Sequence, residues 1–396
     1  MNSFNFSPAH ATEAGFAIEP LQELCSFLRT TVGNGNLPGA VIFLARGNKV
    51  VLHEAIGYAD VESGRPVRSS DIFRLHSMTK PFTAVAMLVL YEEGKWEFEE
   101  PVSHYLPEFR DFATKPGNRA SREPVIRELF THSSGHGFGE TFEEIIATAI
   151  ELDILGSSSL SDLIRRYAQM PLRYEPGTRW EYSFAVDLQA AIVERISGMR
   201  YDRFLERYIF EPLGMHDTGF TLSDDQRVRL VPGYALDSDN GRLRPANTIE
   251  TQDIIIPIGG SSFHSTSGDY ARFIRMLLNR GSLGASRILR PESVDLMLNN
   301  LVPIELLNSS YSATHYVVGG GNGFGMNGMV CMDPAAAHRP VGRGTYEWGG
   351  AHGPWFWADP ENDILFVGMT NRVLPYPEFE PLSLLSQKLV YRALKR

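Results

Sequence analysis

The sequence predicts an α+β fold in which an antiparallel sheet is built from both chain ends and flanked by helices, with an inserted, mainly helical subdomain. Three observations lead to this prediction. Apolar runs on either side of Gly47-Asn48-Lys49 are typical of a β-hairpin over residues 40–58. Residues 354–370 contain two more apolar runs, which are separated by a turn rich in Asp, Pro and Asn at 359–363. Between them, residues 80–215 have largely helical apolar spacing.

Helices are also predicted beside the two hairpins. Residues 21–32 have helical spacing before the first hairpin, and residues 382–394 form an amphipathic helical pattern after the second. Within the helical middle, Glu175-Pro176-Gly177 marks a loop. The polar residues 1–14 are predicted to form a flexible N-terminal segment.

The rest of the chain, residues 15–396, is expected to form a single domain. Its sheet part is predicted at about 15–75 and 250–396, and its helical part at about 76–249. A ligand cleft is expected where the sheet meets the helices, because such junctions leave concave surfaces lined by both layers.

Composition and charge narrow the class of protein. The chain has 396 residues, of which 43% are hydrophobic and 21% charged, as in ordinary globular proteins. Its formal net charge of −10 argues against nucleic acid or membrane as partner, because both need basic patches. Cys25 and Cys331 are expected to be reduced, buried thiols, with a disulfide left open. With no secretory signal and no membrane-spanning window, a soluble cytoplasmic protein is expected.

The stretch Ser77-Met78-Thr79-Lys80 is the strongest functional signal in the chain. A serine three residues before a lysine places both side chains on one side of a helical turn. The apolar run over 81–90 reads as a buried helix, and Pro81 is tolerated in its first turn. Ser77 is therefore predicted at a helix start, beside backbone N–H groups without helical partners and the positive end of the helix dipole.

Lys80 supplies the chemistry that would activate Ser77. It is the only charged residue between Arg74 and Glu92, so its amine is expected against an apolar helix face. Partial desolvation favours the neutral amine, and a neutral amine within reach of a hydroxyl can activate a serine without a histidine. Such Ser and Lys pairs also arise by chance on surfaces, and the buried helix that follows is what favours catalysis.

Tyr182 is the second candidate element. It lies on a loop leading into a helix predicted over residues 185–196. A phenol near a lysine can relay protons between a serine, a leaving group and solvent. An ordinary core tyrosine is the alternative when this residue is considered alone.

The third element is Trp348-Gly349-Gly350-Ala351-His352-Gly353 on a predicted strand. Its glycines allow a ligand to lie close to the backbone, as pairing with an edge strand requires. A backbone N–H of this strand and that of Ser77 can together form an oxyanion hole. A glycine bulge or turn is the alternative, and His352 is left open between a catalytic role and a surface or supporting one.

These three elements, in this order and at these intervals, resemble those of the serine β-lactamase and penicillin-binding-protein superfamily. Within it the chain is most similar to the family VIII carboxylesterases, relatives of class C β-lactamases. The resemblance extends from about residue 15 to the end and implies a two-part β-lactamase-like fold. Supporting segments lie at 73–76, 129–135, 211–215, 259–262 and 265–269.

The resemblance also implies roles for individual residues. Ser77 would be the nucleophile, Lys80 its general base and Tyr182 the proton shuttle. The backbone N–H groups of Ser77 and Ala351 would form the oxyanion hole. No metal and no organic cofactor is implied, and the expected partner is a small-molecule ester.

Two positions depart from the β-lactamase pattern. Phe184 replaces the asparagine of Tyr-x-Asn, and Trp348-Gly349-Gly350 replaces Lys-Thr-Gly. The amide that orients a lactam side chain and the cation that holds a penicillin carboxylate are therefore missing. We expect Trp348, Gly349, Gly350 and Phe184 to bind the substrate through apolar surface and to favour uncharged esters.

The sequence thus predicts a serine carboxylesterase that hydrolyses short-chain neutral esters through an acyl-enzyme on Ser77. A β-lactamase, an amide hydrolase and an acyltransferase are the alternatives on the same fold. A penicillin-recognising binding protein without turnover is an alternative of another class. The intact set of Ser77, Lys80 and Tyr182 argues against it.

Three other patterns receive little weight. Residues 323–328 match G-x-G-x-x-G but lack a preceding strand and a following helix, which disfavours a dinucleotide site. His132 and His136 have the spacing of a zinc pair, but Ser133-Ser134-Gly135 between them is a poor helix, so structural loop histidines are expected. The absence of G-x-S-x-G counts against an α/β-hydrolase.

Overall fold

Long strands lie near both ends of the chain, and most helices lie between them. The structure, a computed structural model, describes residues 6–110, 113–114, 118–137, 147, 150–153, 156–237, 239–246, 256–307, 318–373 and 381–395. Its strands are β1 (Ser7–Pro8), β2 (Gly39–Arg46), β3 (Lys49–Asp60), β4 (Arg65–Pro66), β5 (Phe73–Arg74), β6 (Ala113–Thr114), β7 (Asn118–Arg119), β8 (Tyr234–Leu236), β9 (Leu243–Pro245), β10 (His264–Ser265), β11 (Ser282–Leu283), β12 (Ser286–Arg287), β13 (Asn322–Phe324), β14 (Met329–Cys331), β15 (Tyr346–Gly349), β16 (Trp355–Asp359) and β17 (Ile364–Thr370).

The helices fall mainly between β5 and β13. The α-helices span Ile18–Gly33, Lys80–Glu92, Ile126–Phe130, Leu160–Tyr167, Ala185–Ser197, Tyr201–Leu205, Glu211–Leu213, Asp224–Arg229, Ser267–Leu278, Pro291–Leu298, Ile304–Leu307 and Leu382–Ala393. Short 3-10 helices span Ala11–Ala14, His76–Thr79, Val102–His104 and Pro107–Phe109, and a π-helical turn spans Glu206–Phe210.

One sheet joins the two ends of the chain. Among the described residues, nine strands form it in the order β1-β3-β2-β17-β16-β15-β14-β13, with β4 paired to β3. β17 pairs antiparallel with β2, from Ile364 opposite Arg46 to Thr370 opposite Ala40. The other pairs in this sheet are also antiparallel, except β1 with β3. The predicted sheet built from both chain ends is confirmed.

Both faces of the sheet are covered. β2 is buried along almost its whole length, and because successive side chains point to opposite faces, both faces must be packed. Ile42 and Leu44 belong to a core shared with Ile18–Gly33 and Leu382–Ala393. Val41 and Phe43 belong to the larger core shared with the helical part. The second face is therefore the one that meets the helical part.

A helix precedes the second half of the central sheet. The strands of that sheet resume at Asn322, and Ser267–Leu278 lies before them. Tyr270, Phe273, Ile274 and Leu277 recur every three or four residues along this helix and are buried. This helix packs against β2 and β17.

Part of the N-terminal segment predicted to be flexible forms regular secondary structure. Ser7–Pro8 pairs in parallel with Lys49 and Val50, and Ala11–Ala14 forms a 3-10 helix. Residues 1–5 of the segment predicted to be flexible lie outside the described residues. Both cysteines are buried free thiols, as expected. In the described ranges, no helix combines the length and apolarity needed to cross a bilayer.

Candidate active site

Ser77 lies on the short 3-10 helix His76–Thr79, which leads directly into the buried helix Lys80–Glu92. Its Oγ is 3.0 Å from Nζ of Lys80 and 2.8 Å from the hydroxyl of Tyr182. The three residues that carry the predicted chemistry therefore meet at one oxygen atom. This arrangement can deprotonate the serine on one side and exchange a proton on the other.

Lys80 is held from several directions. Its side chain is 5% exposed, and its Nζ donates a 2.8 Å hydrogen bond to the carbonyl oxygen of Gly260. The same nitrogen lies 4.9 Å from the centre of the Tyr182 ring. Asn327 donates to the backbone oxygen of Lys80 at 3.1 Å and so fixes the start of its helix. Lys80 is thus a preorganised group with little freedom to leave Ser77.

Asp187 is a buried carboxyl that lies behind Gly260. Its Oδ1 accepts the backbone N–H of Gly260 at 2.7 Å, and its Oδ2 accepts the hydroxyl of Tyr167 at 3.0 Å. Burial raises the pKa of Asp187, while the charge of Lys80 and these two hydrogen bonds oppose the rise. A Cβ atom at Gly260 would lie 2.9 Å from Asp187 Oδ1 and 3.5 Å from Lys80 Nζ. The site therefore needs glycine there.

Tyr182 lies two residues before the N-cap of Ala185–Ser197. Its ring packs between His132, with ring centroids 4.8 Å apart, and Trp348, with ring centroids 5.5 Å apart. Both neighbours are buried, so they hold the ring between them while its hydroxyl donates to Ser77 Oγ.

The end of β15 comes close to the residues that precede Ser77. A Cβ atom at Gly350 would lie 2.3 Å from the carbonyl oxygen of Leu75, so only glycine permits this approach. The Gly350 N–H donates to Pro354 O at 2.8 Å. The Ala351 N–H, by contrast, makes no hydrogen bond to any other part of the described chain. This leaves it available as an oxyanion donor, and that role stays a prediction.

Two buried histidines connect the two predicted oxyanion donors. His76 precedes Ser77, His352 follows Ala351, and their ring centroids are 4.1 Å apart. Burial holds the pKa of His76 well below its usual range and lowers the pKa of His352 to about 4, with Arg74 adding to both shifts. Both imidazoles are therefore neutral at pH 7, and their contact is a packing contact between the two loops.

Acidification is expected to destabilise the fold, because its buried histidines are neutral. Burial lowers the pKa of His352 to about 4 and that of His136 to about 3, from an ordinary 6.5. Below pH 6.5 these histidines bind protons in the unfolded chain but not in the native state. The free energy of unfolding therefore falls as pH decreases towards 4. Each residue should contribute on the order of 2 kcal/mol of loss at pH 5.

Thermal unfolding measured from pH 7.5 to pH 5 checks this expectation. The midpoint of the parent should fall steadily over that range. The midpoint of His352→Phe should fall less, because this variant keeps an aromatic ring but cannot titrate. A midpoint that is unchanged or higher at pH 5 would contradict the assignment of neutral buried imidazoles.

Two residues predicted to bind substrate are buried. Phe184 is 2% exposed and stacks on Tyr167, with ring centroids 4.0 Å apart, so it packs in the core. Trp348 is 1% exposed and packs edge-to-face on Phe324 beneath the ring of Tyr182. Their role in binding the substrate stays a prediction. Their neighbours Gly349 and Ala351 are half-buried at the end of β15.

The sequence did not predict the roles of several supporting residues. Asp187, Gly260 and Asn327 hold Lys80 over large sequence distances. The pair of glycines at 259–260 was the clearest pattern in the sequence that pointed to them. The G-x-G-x-x-G stretch covers the end of β13 and the turn that leads to β14, and it carries Asn327 in a left-handed conformation. His132 and His136 are buried, and each Nδ1 lies 3.0 Å from a serine hydroxyl.

The fold, and the contacts of Ser77 Oγ with Lys80 and Tyr182, are those of a serine hydrolase. A family model described as Beta-lactamase matches residues 24–388, and the chain belongs to that family.

Relatives agree with this assignment. Esterase EstB of Burkholderia gladioli is 31% identical over 85% of this chain and 86% of its own length. Protein Rv1367c of Mycobacterium tuberculosis is 34% identical over 86% of this chain and 87% of its own length. The solved structure of "EstCE1, a hydrolase with promiscuous acyltransferase activity" superposes with a TM-score of 0.79 and 26% identity, covering 95% of this chain and 100% of that one. The resemblance to the family VIII esterases is confirmed.

Proposed function

We propose that this protein hydrolyses short-chain, neutral carboxylic esters through an acyl-enzyme on Ser77. The observation that carries the proposal is the position of Ser77 Oγ, 3.0 Å from Lys80 Nζ and 2.8 Å from the Tyr182 hydroxyl. Similarity to a protein named as an esterase and to one described as a hydrolase supports ester chemistry.

Acylation follows from these contacts. Lys80 accepts the hydroxyl proton of Ser77 as Oγ bonds to the ester carbonyl carbon. The negative charge that develops on the carbonyl oxygen is stabilised by the N–H groups of Ser77 and Ala351. When the tetrahedral intermediate collapses, the bond to the alcohol oxygen breaks and that oxygen takes a proton from Tyr182. The Lys80 ammonium then returns a proton to the phenolate.

Deacylation uses the same groups in reverse order. A water molecule gives a proton to the free amine of Lys80, either directly or through Tyr182, which accepts that proton as it passes its own to Lys80, while the water oxygen bonds to the acyl carbon. The second tetrahedral intermediate releases the acid, and Ser77 Oγ recovers its proton. No step requires a further catalytic group, since each proton leaves and returns within hydrogen-bond distance of Oγ.

Preference for uncharged esters is proposed from the residue at position 348. The buried Trp348 offers no cation where a β-lactamase has the lysine of Lys-Thr-Gly. A carboxylate held near the end of β15 would lose water without gaining that partner. Leaving a charged group unsatisfied costs about 3 kcal/mol or more, which corresponds to a roughly 100-fold loss of efficiency.

The test compares kcat/KM for a short-chain p-nitrophenyl ester and for benzylpenicillin on one preparation. We expect the ester to be favoured at least ~100-fold. The matched control is the methyl ester of the same penicillin, which differs only in the charge of the carboxylate. Equal or higher efficiency on benzylpenicillin would replace the esterase proposal with a β-lactamase.

A panel of acyl lengths tests the size preference. Adding an alcohol as acceptor to the same assay tests acyl transfer, the second activity ascribed to EstCE1. Hydrolysis that declines steeply beyond short acyl chains is expected, whereas a maximum at long chains would contradict the short-chain proposal.

A further inference from the structure

His132 is a buried residue with a constrained backbone that the mechanism leaves without a role. It follows the helix Ile126–Phe130, its side chain is 0% exposed, and its backbone φ is +51°. A non-glycine residue in the left-handed region costs on the order of 1 kcal/mol or more and persists only where surrounding contacts impose it. The contacts that impose it here lie around Tyr182.

Two atoms of His132 accept hydrogen bonds from the residues on either side of Tyr182. Its carbonyl oxygen accepts the backbone N–H of Glu181 at 2.9 Å, and its Nδ1 accepts the backbone N–H of Ser183 at 3.2 Å. Between these two hydrogen bonds, the imidazole packs on the phenol ring with centroids 4.8 Å apart. His132 therefore fixes the two peptides that flank Tyr182 and packs on one face of the Tyr182 ring.

The hydrogen bond at Nδ1 also defines the state of the ring. An atom that accepts an N–H must carry a lone pair, so the neutral imidazole bears its proton on Nε2. Full burial, with a smaller contribution from the charge of Lys80, holds the pKa of His132 well below its usual range. The acceptor is therefore retained at neutral pH. Tyr174 and the hydroxyl of Ser183 hold the residue further, at 3.1 Å from its carbonyl oxygen and 3.0 Å from Nδ1.

We propose that His132 is a positioning residue, which holds the hydroxyl of Tyr182 at Ser77 through the Nδ1 bond to Ser183. This proposal rests on the proposed acyl-enzyme mechanism. Freeing the Ser183 peptide would let the phenol turn away from Oγ, and proton transfer would slow because its rate depends on that 2.8 Å contact. Substrate binding would change little, because His132 is buried behind the tyrosine.

The test exploits two side chains that differ in where they place an acceptor. In His132→Asn, the amide oxygen can take the place of Nδ1, and asparagine tolerates a positive φ. In His132→Gln, the acceptor is displaced by one methylene. We expect kcat for a p-nitrophenyl ester to fall ~100-fold in the glutamine variant and less than ~10-fold in the asparagine variant, with KM within ~3-fold in both.

His136 provides the matched control. It is also buried, lies four residues further along, and has its Nδ1 3.0 Å from the hydroxyl of Ser134. His136→Gln should lower the midpoint of thermal unfolding as much as His132→Gln does, yet keep kcat within ~3-fold of the parent. Equal losses of kcat in both glutamine variants would overturn the proposal.

A double-mutant cycle separates positioning from general damage. If His132 acts through the phenol, adding His132→Gln to Tyr182→Phe should cost less than ~3-fold further in the acylation rate, because the group it positions is already gone. A further ~100-fold loss would overturn the proposal. If the parent cleaves no ester, the proposed function fails by itself. The same variants are then ranked by their rate of labelling with a fluorophosphonate, which reports the positioning of Tyr182 independently.

Discussion

Ser77→Ala is expected to abolish ester turnover, with a loss of ~10⁴-fold or more in kcat. The reason is that Oγ is the one atom contacted by both Lys80 Nζ and the Tyr182 hydroxyl. A methyl group there leaves no proton to transfer and no atom to carry the acyl group. Groups that act as a unit lose nearly everything when one of them is removed.

Initial rates with a short-chain p-nitrophenyl ester measure this loss, and mass spectrometry of the quenched reaction locates the acyl group on the peptide containing Ser77. Ser157→Ala is the matched control, since Ser157 is buried and its Oγ makes no hydrogen bond within the described residues. The control should keep parental rates. Activity of Ser77→Ala within about tenfold of the parent would show that another residue carries the acyl group.

Lys80→Arg is expected to lower kcat by ~10³-fold. Arginine stays protonated at any working pH and cannot accept the serine proton. Its guanidinium must also fit a buried space in which Nζ lies 2.8 Å from Gly260 O and 3.0 Å from Ser77 Oγ. The rate with saturating ester, compared with the parent at neutral pH, gives the effect.

Chemical rescue separates the loss of a base from a loss of structure. Lys80→Ala leaves space for a small primary amine beside Ser77, so added methylamine should restore part of the rate. Rescue should increase with pH as the free amine fraction increases, because the neutral form is the one that accepts a proton. Parental rates in Lys80→Arg, or no response of Lys80→Ala to any amine, would argue against the base role.

The local part of the site could be predicted, because it depends on helix geometry. Ser77 and Lys80 are three residues apart, and a helical turn brings such side chains together whatever the rest of the chain does. Tyr182 is 105 residues from Ser77, so its place rested on the resemblance to a family and not on spacing. The sheet could be predicted from alternating apolar runs and turns, although the pattern could not define where its second half begins.

The supporting residues could not be predicted, because their contacts run through the backbone. Lys80 reaches Gly260 over 180 positions through a carbonyl oxygen, a group that every residue has. The burial of Trp348 could not be predicted either, because a strand pattern does not show what packs above each face. Its neighbour Glu347 points to the opposite side, where it pairs with Arg339 and accepts a hydrogen bond from Gln387.

The pairing of β2 with β17 has a consequence for biosynthesis. The Gly39 carbonyl and the Thr370 hydroxyl that bond across this pair are 331 positions apart, so at ribosomal speeds β2 waits tens of seconds for its partner. Throughout that time one edge of an almost wholly apolar strand is unpaired. Such an edge is prone to aggregation, and chaperones protect chains in this state. The nascent polypeptide also lacks Ala351 until late in translation. Its nucleophile, Ser77, is therefore synthesised long before its predicted oxyanion partner, Ala351.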